Sequence, residues 1–293
     1  MKKSAYISQI SLTIIFIILC ALVLIPFLTV VSISLSSEAD ISAFGYSIIP
    51  RNLDLSAYSF IFNNPGSIIS AYRVTIIFSV IGTILSILLM AMAAYPLSKR
   101  TMPFRRGFSF YFYFTMLFGG GLVPTYILIT QYLHLGDKIW VYILPGLISP
   151  WYIFLMRTFF QGLPEEMMEA ALIDGASEYQ IFFRMVLPLS KPVIASVGLF
   201  GFLIRWNDWM TALLYIDKQS LISLQYLLQR IMRNLEVLQN FEMSGGQLMS
   251  AADIPSETVR MAMAVVVAGP ALVIFPFFQK YFVKGLTVGS VKG

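Results

Sequence analysis

Long apolar runs with few or no charges recur along this chain, at a length that only a lipid bilayer explains. Residues 11–35, 74–98, 107–130, 139–156, 192–216 and 259–282 form six such segments. At 1.5 Å of rise per residue, about 20 helical residues cross the roughly 30 Å hydrocarbon core of a membrane. Composition supports this where length alone would suggest about two soluble domains. Hydrophobic residues make up 58% and charged residues 12% of the 293, with a mean hydropathy of +0.78. A water-soluble fold cannot cover that much apolar surface with so little charge. In lipid every backbone polar group must bond internally, so helices are the expected solution. The expected fold is all-α: one polytopic membrane domain over 1–293 with six transmembrane helices. The first run follows Lys2 and Lys3, as a signal peptide would. It is too long for an h-region and lacks a small-x-small cleavage site, so it reads as a span, with a kink expected at Pro26.

Basic residues orient the bundle. Twelve of the 20 lie at the termini, in the loops after the second and fourth spans or, for Lys280, at the C-terminal end of the sixth span, with Lys99, Arg100, Arg105 and Arg106 the densest group. Five lie in the alternate loops, and Arg73, Arg205 and Arg260 fall within or at the edge of spans. The positive-inside rule then puts both termini in the cytoplasm. Loop 36–70 contains the turn signal Asn63-Asn64-Pro65-Gly66 and is expected outside, as is the long loop 217–256. In that second loop Leu224, Leu228, Ile231, Leu235 and Leu238 recur at helical spacing, which predicts an amphipathic helix on the outer surface.

Several chemistries are excluded. No G-x-x-x-x-G-K-[ST] phosphate loop occurs, so ATP is not bound in that way. His134 is the only histidine and Cys20 the only cysteine. No Ser-His-Asp set, histidine pair, cysteine metal site or disulfide can be assembled from them. The basic residues form no aromatic-interleaved stripe, so no nucleic-acid partner is expected. The chain reads as a conduit, not an enzyme, with no cofactor of its own.

The spans themselves carry irregularities. Gly119-Gly120-Gly121 and Pro124 interrupt the third, and Pro145 and Pro150 the fourth. Close helix packing and a bend beside a pathway both account for the glycines. Arg205 and Asp208 stand three apart in the fifth span, so on one helix they can face the same way and pair. An unpaired charge near mid-bilayer costs about 2.5–3.5 kcal/mol. Arg205, Trp206, Asn207, Asp208 and Trp209 are the candidate substrate pathway, the two indoles offering stacking faces. A structural ion pair with aromatics at the outer interface is the competing reading.

An acidic island stands out inside this apolar chain. Glu165, Glu166, Glu169, Asp174 and Glu178 are a third of its 15 acidic residues. Residues 161–191 are punctuated as two short helices. Pro164 suits a first helical position and the glutamates behind it the first turn. Gly175 is placed to end that helix. Ser177 and Gln180 form a capping box for the next, which Leu187-Pro188 is expected to close.

Glu169-Ala170-Ala171, then Gly175, then Met185-x-Leu187-Pro188 resembles the EAA motif of permease subunits of bacterial ATP-driven importers. The spacing matches, and Met185 stands where isoleucine is usual. From about residue 71 to the end, 71–283 forming the permease core, the chain resembles the second permease of the maltose-importer class of carbohydrate transporters. The ending from Lys284 to Gly293 is similar to that class's G-L-T-x-G-x-V-K-G tail, and Trp206-Asn207-Asp208-Trp209 also looks like sugar importers.

The resemblance implies a permease in the bacterial cytoplasmic (inner) membrane. Its partners would be a homologous permease in a heterodimer, two ATPase subunits that bind ATP and Mg, and an extracytoplasmic solute-binding protein. The cargo would be an oligosaccharide. ATPase coupling would fall to Glu165, Glu169, Ala170, Ala171, Asp174, Gly175, Leu187 and Pro188. The tail residues Lys284, Gly285, Leu286, Gly289 and Lys292 would reach the ATPase, and Ser244, Gly245, Gly246 and Gln247 the binding protein. Arg73 and Arg205 further suggest an acidic sugar such as an alginate or pectin fragment. A secondary sugar transporter and a non-transporting membrane scaffold are the alternatives. The chain shows no second half like the first and few membrane carboxylates for ion coupling, which count against the former. The motif and the broken spans count against the latter.

Overall fold

The computed structural model describes residues 2–63, 65–243 and 256–288. Among them the structure is helical, and the sole β feature is an antiparallel bridge between Ser36 and Leu53. Contacts divide the chain into two units, residues 1–68 with 228–270 and residues 69–227 with 271–293.

In the first unit, α1 (Lys2–Ser34) is one unbroken helix that includes Pro26. Its stretch Gln9–Ser34 has mean hydropathy 3.2 and none of its apolar window is buried, as suits a helix whose solvent is lipid. The short helices α2 (Glu38–Phe44) and α3 (Ser56–Phe62) follow. Ser37 caps α2 by accepting the Asp40 N–H at 3.2 Å. The Glu38 carboxylate caps a distant helix instead. It accepts the Glu257 and Thr258 N–H groups, both at 3.0 Å, at the start of the last helix.

The long helix α4 (Pro65–Ser98) begins earlier than expected. Of the turn signal Asn63-Asn64-Pro65-Gly66, Asn63 lies in a turn, Asn64 falls outside the described residues, and Pro65 opens the helix, a position where its missing N–H costs nothing. Then come α5 (Arg105–Leu117) and α6 (Leu122–Ile127), the latter running into a π turn at Leu128–Tyr132. The glycine run breaks the third span outright. Phe118 is extended, Gly121 takes φ +83°, and the two halves meet at 109°.

The fourth span is not one helix. Pro145 and Pro150 leave a single turn, α7 (Trp140–Ile143), then an irregular stretch, then α8 (Pro150–Gln161). The acidic island forms α9 (Glu165–Ile173) and α10 (Glu178–Ile181). Here the expectation at Leu187-Pro188 fails. The helix passes through a π turn at Phe182–Val186 into α11 (Leu187–Leu189) and stops only at Ser190. The Leu187 N–H already bonds Phe182 O, five residues back. The ladder has therefore skipped a carbonyl before it meets the proline, and the wider turn takes the ring in.

A 78° bend leads into α12 (Lys191–Trp206), and α13 (Met210–Tyr215) follows. The fifth span is thus interrupted at residues 207–209. The predicted loop helix exists as α14 (Leu224–Met243), and α15 (Ser256–Val288) ends the described chain. Among the described residues three helices are long and apolar enough to cross a membrane, or up to five if each bent pair forms one span.

Two apolar cores hold the second unit. One joins Val74 and Phe78 of α4 to α7 and Ala212 of α13, with Phe78 stacked on Tyr142 at 4.4 Å. The other joins Met90 to Leu97 of α4, Ile153 and Phe160 of α8, Ile181 to Val186, and Val193 of α12.

Candidate functional site

A cavity of about 540 Å³ lies between α4, the irregular turn after α7, and α12. Its wall mixes apolar groups with Ser86, Ser149, Tyr152, Arg205, Asn207 and Asp208. Such a volume with a few convergent polar groups is typical of a small-ligand site.

The broken fourth span explains the polar wall. Unwinding at residues 144–149 frees backbone carbonyls that no helix satisfies, and buried carbonyls need partners. Ser86 Oγ donates to Leu147 O at 2.7 Å, and Arg205 Nη2 donates to Gly146 O at 2.6 Å and to Ser86 Oγ. Arg205 Nη1 donates to Gly201 O at 3.1 Å. Arg205 is 8% exposed, and the hydrogen-bond partners of its guanidinium are neutral. Three glycines make room for it. A Cβ at Gly82 would stand 2.7 Å from Arg205 Nε, and one at Gly201 3.4 Å from Nη1, while Gly146 faces Nη2.

The expected Arg205–Asp208 ion pair does not form. Helix α12 ends at Trp206, so the three-residue spacing no longer lies on one helix. The Asp208 carboxylate turns instead to cap α13, accepting the Thr211 N–H at 3.0 Å. Asp208 still shares the cavity wall with Arg205, as do Asn207 and Trp209. Trp206 does not. It is 2% exposed and stacks on Phe202 at 5.6 Å, so its ring is a packing element and offers no open face. Arg73 is exposed on α4 and is not part of this wall.

The acidic helices are built as their sequence dictates. Gly175 takes φ +83°, its N–H bonds Leu172 O at 3.0 Å and the Ala176 N–H bonds Ala171 O at 2.9 Å. This is a Schellman ending. Pro164 sits at the N-cap of α9, one place before the expected first helical position. Ser177 and Gln180 form the reciprocal capping box. Met168, Ala171 and Ala176 pack inward on the second core. Glu165, Glu169, Ala170 and Asp174 face outward, and Ile173 is 87% exposed. Met167, Ala170 and Ile173 thus form an exposed apolar strip at three-residue spacing, flanked by acids.

Glu178 faces the end of α4. Tyr95 Oη donates to its Oε2 at 2.7 Å, and Lys99 Nζ donates to both carboxylate oxygens. Burial pushes the Glu178 carboxyl up, but the hydrogen bonds from Lys99 and Tyr95 and the Lys99 charge together hold it below the usual range. Burial lowers Lys99, and its hydrogen bonds and the facing charges raise it further than that, above an ordinary lysine. Sequence reasoning missed this contact, as it missed Ser86 and Gly82. A serine in the middle of an apolar helix was an available signal for Ser86, though Ser79 of the same helix offers the same one. Nothing local announces a partner 79 residues away.

Of the tail residues, Lys284, Gly285 and Leu286 lie on α15, while Gly289 and Lys292 fall outside the described residues. So do Ser244, Gly245, Gly246 and Gln247. Among the described residues no His, Cys, Asp and Glu cluster is placed to hold a metal ion.

Residues 1–288 match the family described as the binding-protein-dependent transport system inner membrane component. The chain belongs to that family. This permease is 38% identical to protein LplC of Bacillus subtilis (strain 168) over 93% of its own length and 90% of the relative's. It is 37% identical to the polygalacturonan/rhamnogalacturonan transport system permease protein YtcP of the same organism, covering 95% of this chain and 96% of that one. Among solved structures it is similar to a bacterial ABC transporter involved in the import of the acidic polysaccharide alginate. The TM-score there is 0.80 at 29% identity, over 95% of the permease and 98% of that chain. It is therefore an ABC-type transport permease of the inner membrane.

Proposed function

We propose that this permease forms half of the pathway of an ATP-driven importer for acidic oligosaccharides. A homologous permease supplies the other half, two ATPase subunits bind ATP and Mg, and an extracytoplasmic binding protein delivers the cargo. The twelve-to-five distribution of basic residues supports six crossings with both termini in the cytoplasm. In that topology α7 and α8 together make the fourth crossing.

The observation that carries the reading is the pair α9–α10. It combines an acidic, partly apolar outer face with a capped junction between the two helices and an inner face joined to the core of α4 and α8. A handle of that kind suits a motor that closes on ATP and moves the spans behind it. Glu165, Glu169, Ala170, Asp174 and Gly175 are assigned to the ATPase contact, with Leu187 and Pro188 anchoring it. Lys284, Gly285, Leu286, Gly289 and Lys292 are assigned to a second contact there. Ser244, Gly245, Gly246 and Gln247 are assigned to the binding protein.

The substrate class rests on the cavity and on two relatives. Polygalacturonan and alginate are chains of uronic acids, and Arg205 presents a fixed cation at the cavity wall. Arg205, Asn207, Asp208 and Trp209 are the pathway residues in this reading, with Trp206 supporting them from behind. Affinity purification of the permease from its native membrane tests the assembly. A P-loop ATPase is expected to co-purify and to dissociate when Glu169 is changed to Lys. Recovery of the permease without any ATPase contradicts the reading.

A further inference from the structure

The contact at Glu178 joins two elements that the chain itself connects only at a distance. Its hydrogen bonds come from Tyr95 and Lys99, at the end of α4. The Lys99 ammonium lies 4.8 Å from the Tyr95 ring centroid, and that ring lies 5.3 Å from Phe182 in the π turn after α10. Beneath these groups the second core runs unbroken from Met90, Ala94 and Leu97 to Ile181 and Val186. Further along the same helix, Thr83, Ser86 and Met90 line the cavity. Ser86 is nine residues from Tyr95, about 14 Å along a stiff helix.

We infer that Lys99, Glu178 and Tyr95 act as a bolt that passes movement of α10 to α4, and through α4 to the cavity wall. They are positioning residues for transport. The inference rests on the proposed role of α9–α10 as the ATPase handle. By covalent continuity α10 reaches α12 across the 78° bend at Ser190, and α8 through α9. To α4 it is joined by apolar packing, and the bolt adds a directional polar tie there. The two helices that hold Arg205 in place, α12 carrying it and α4 bonding it through Ser86, then move together. The Glu178 side chain is 52% exposed, so the ion pair adds little to stability. Its value is geometric, and that separates this role from a structural one.

The test uses the complete transporter in proteoliposomes. Substrate moved per ATP hydrolysed is measured with ATPase retention and thermal midpoint. Lys99→Glu and Glu178→Lys are each expected to lower the ratio about tenfold, with ATPase retained and the midpoint nearly unchanged. The double exchange should restore the ratio to within about threefold of the wild type. Tyr95→Phe removes one hydrogen bond and should lower the ratio about threefold. The bolt is overturned by single reversals that couple normally, or by a double exchange no better than the singles. Where a single reversal does not assemble, Tyr95→Phe decides: a reduced ratio supports the bolt and an unchanged ratio overturns it. A wild-type complex that moves substrate without ATP would overturn the handle reading itself. An ATP-driven wild type indifferent to these substitutions overturns the bolt alone.

Discussion

Gly82 is a position where one methyl group should be felt. The guanidinium it faces is held by Ser86, Gly146 and Gly201, so it has no free direction in which to withdraw. Gly82→Ala is expected to displace Arg205 and to slow uptake of uronic oligosaccharides by about tenfold to a hundredfold. Arg205→Lys should do the same, because an ammonium cannot reproduce the planar fork. Wild-type uptake by both variants would remove Arg205 from the pathway. Glu178 carries a pH prediction. Its carboxyl is lowered in the fold, so its contribution is complete above the unfolded value of about 4.3 and is lost as pH falls through the lower folded one. Lys99 is raised, so its contribution is complete below about 10.4 and is lost as pH rises past the higher folded value. The contact therefore persists between those limits, and substrate moved per ATP should be flat from about pH 5 to 9. A midpoint near neutrality would contradict it.

At the scale of elements, the junction between α9 and α10 is set by Gly175. A side chain at φ +83° costs about 1–2 kcal/mol, so Gly175→Ala should loosen the Schellman ending and reduce ATPase retention on purification. Full retention would show that the junction tolerates play. This junction was legible in the sequence because its causes are local. Gly175, Ser177 and Gln180 act on backbone groups within a few residues. Pro188 misled because a proline rule assumes an α-helical ladder, and the π turn before it changes which carbonyl the ring meets. The Arg205–Asp208 pairing misled for a related reason. Spacing along a helix predicts contact only while the helix lasts, and this one ends between them. The prolines of the fourth span did announce an interruption. That its freed carbonyls would be met by Ser86 and Arg205 depends on three separate segments coming together, which no local pattern encodes.

In the proposed reading, the whole molecule joins an acidic handle, a set of helices that it moves, and a cavity with a fixed cation. The apolar runs were legible as membrane segments because lipid imposes length and composition together. The division of the third span into angled halves was legible only as a weakness at glycine and proline, since the 109° bend depends on packing. The most direct test is uptake by the reconstituted transporter, with partner permease, ATPase and binding protein, of galacturonate oligomers beside neutral oligosaccharides of equal length. The account predicts ATP-dependent accumulation of the acidic oligomer, at least about tenfold faster than the neutral one, with Arg205→Gln abolishing the preference. Equal rates for both sugars, or uptake that continues without ATP, would contradict it.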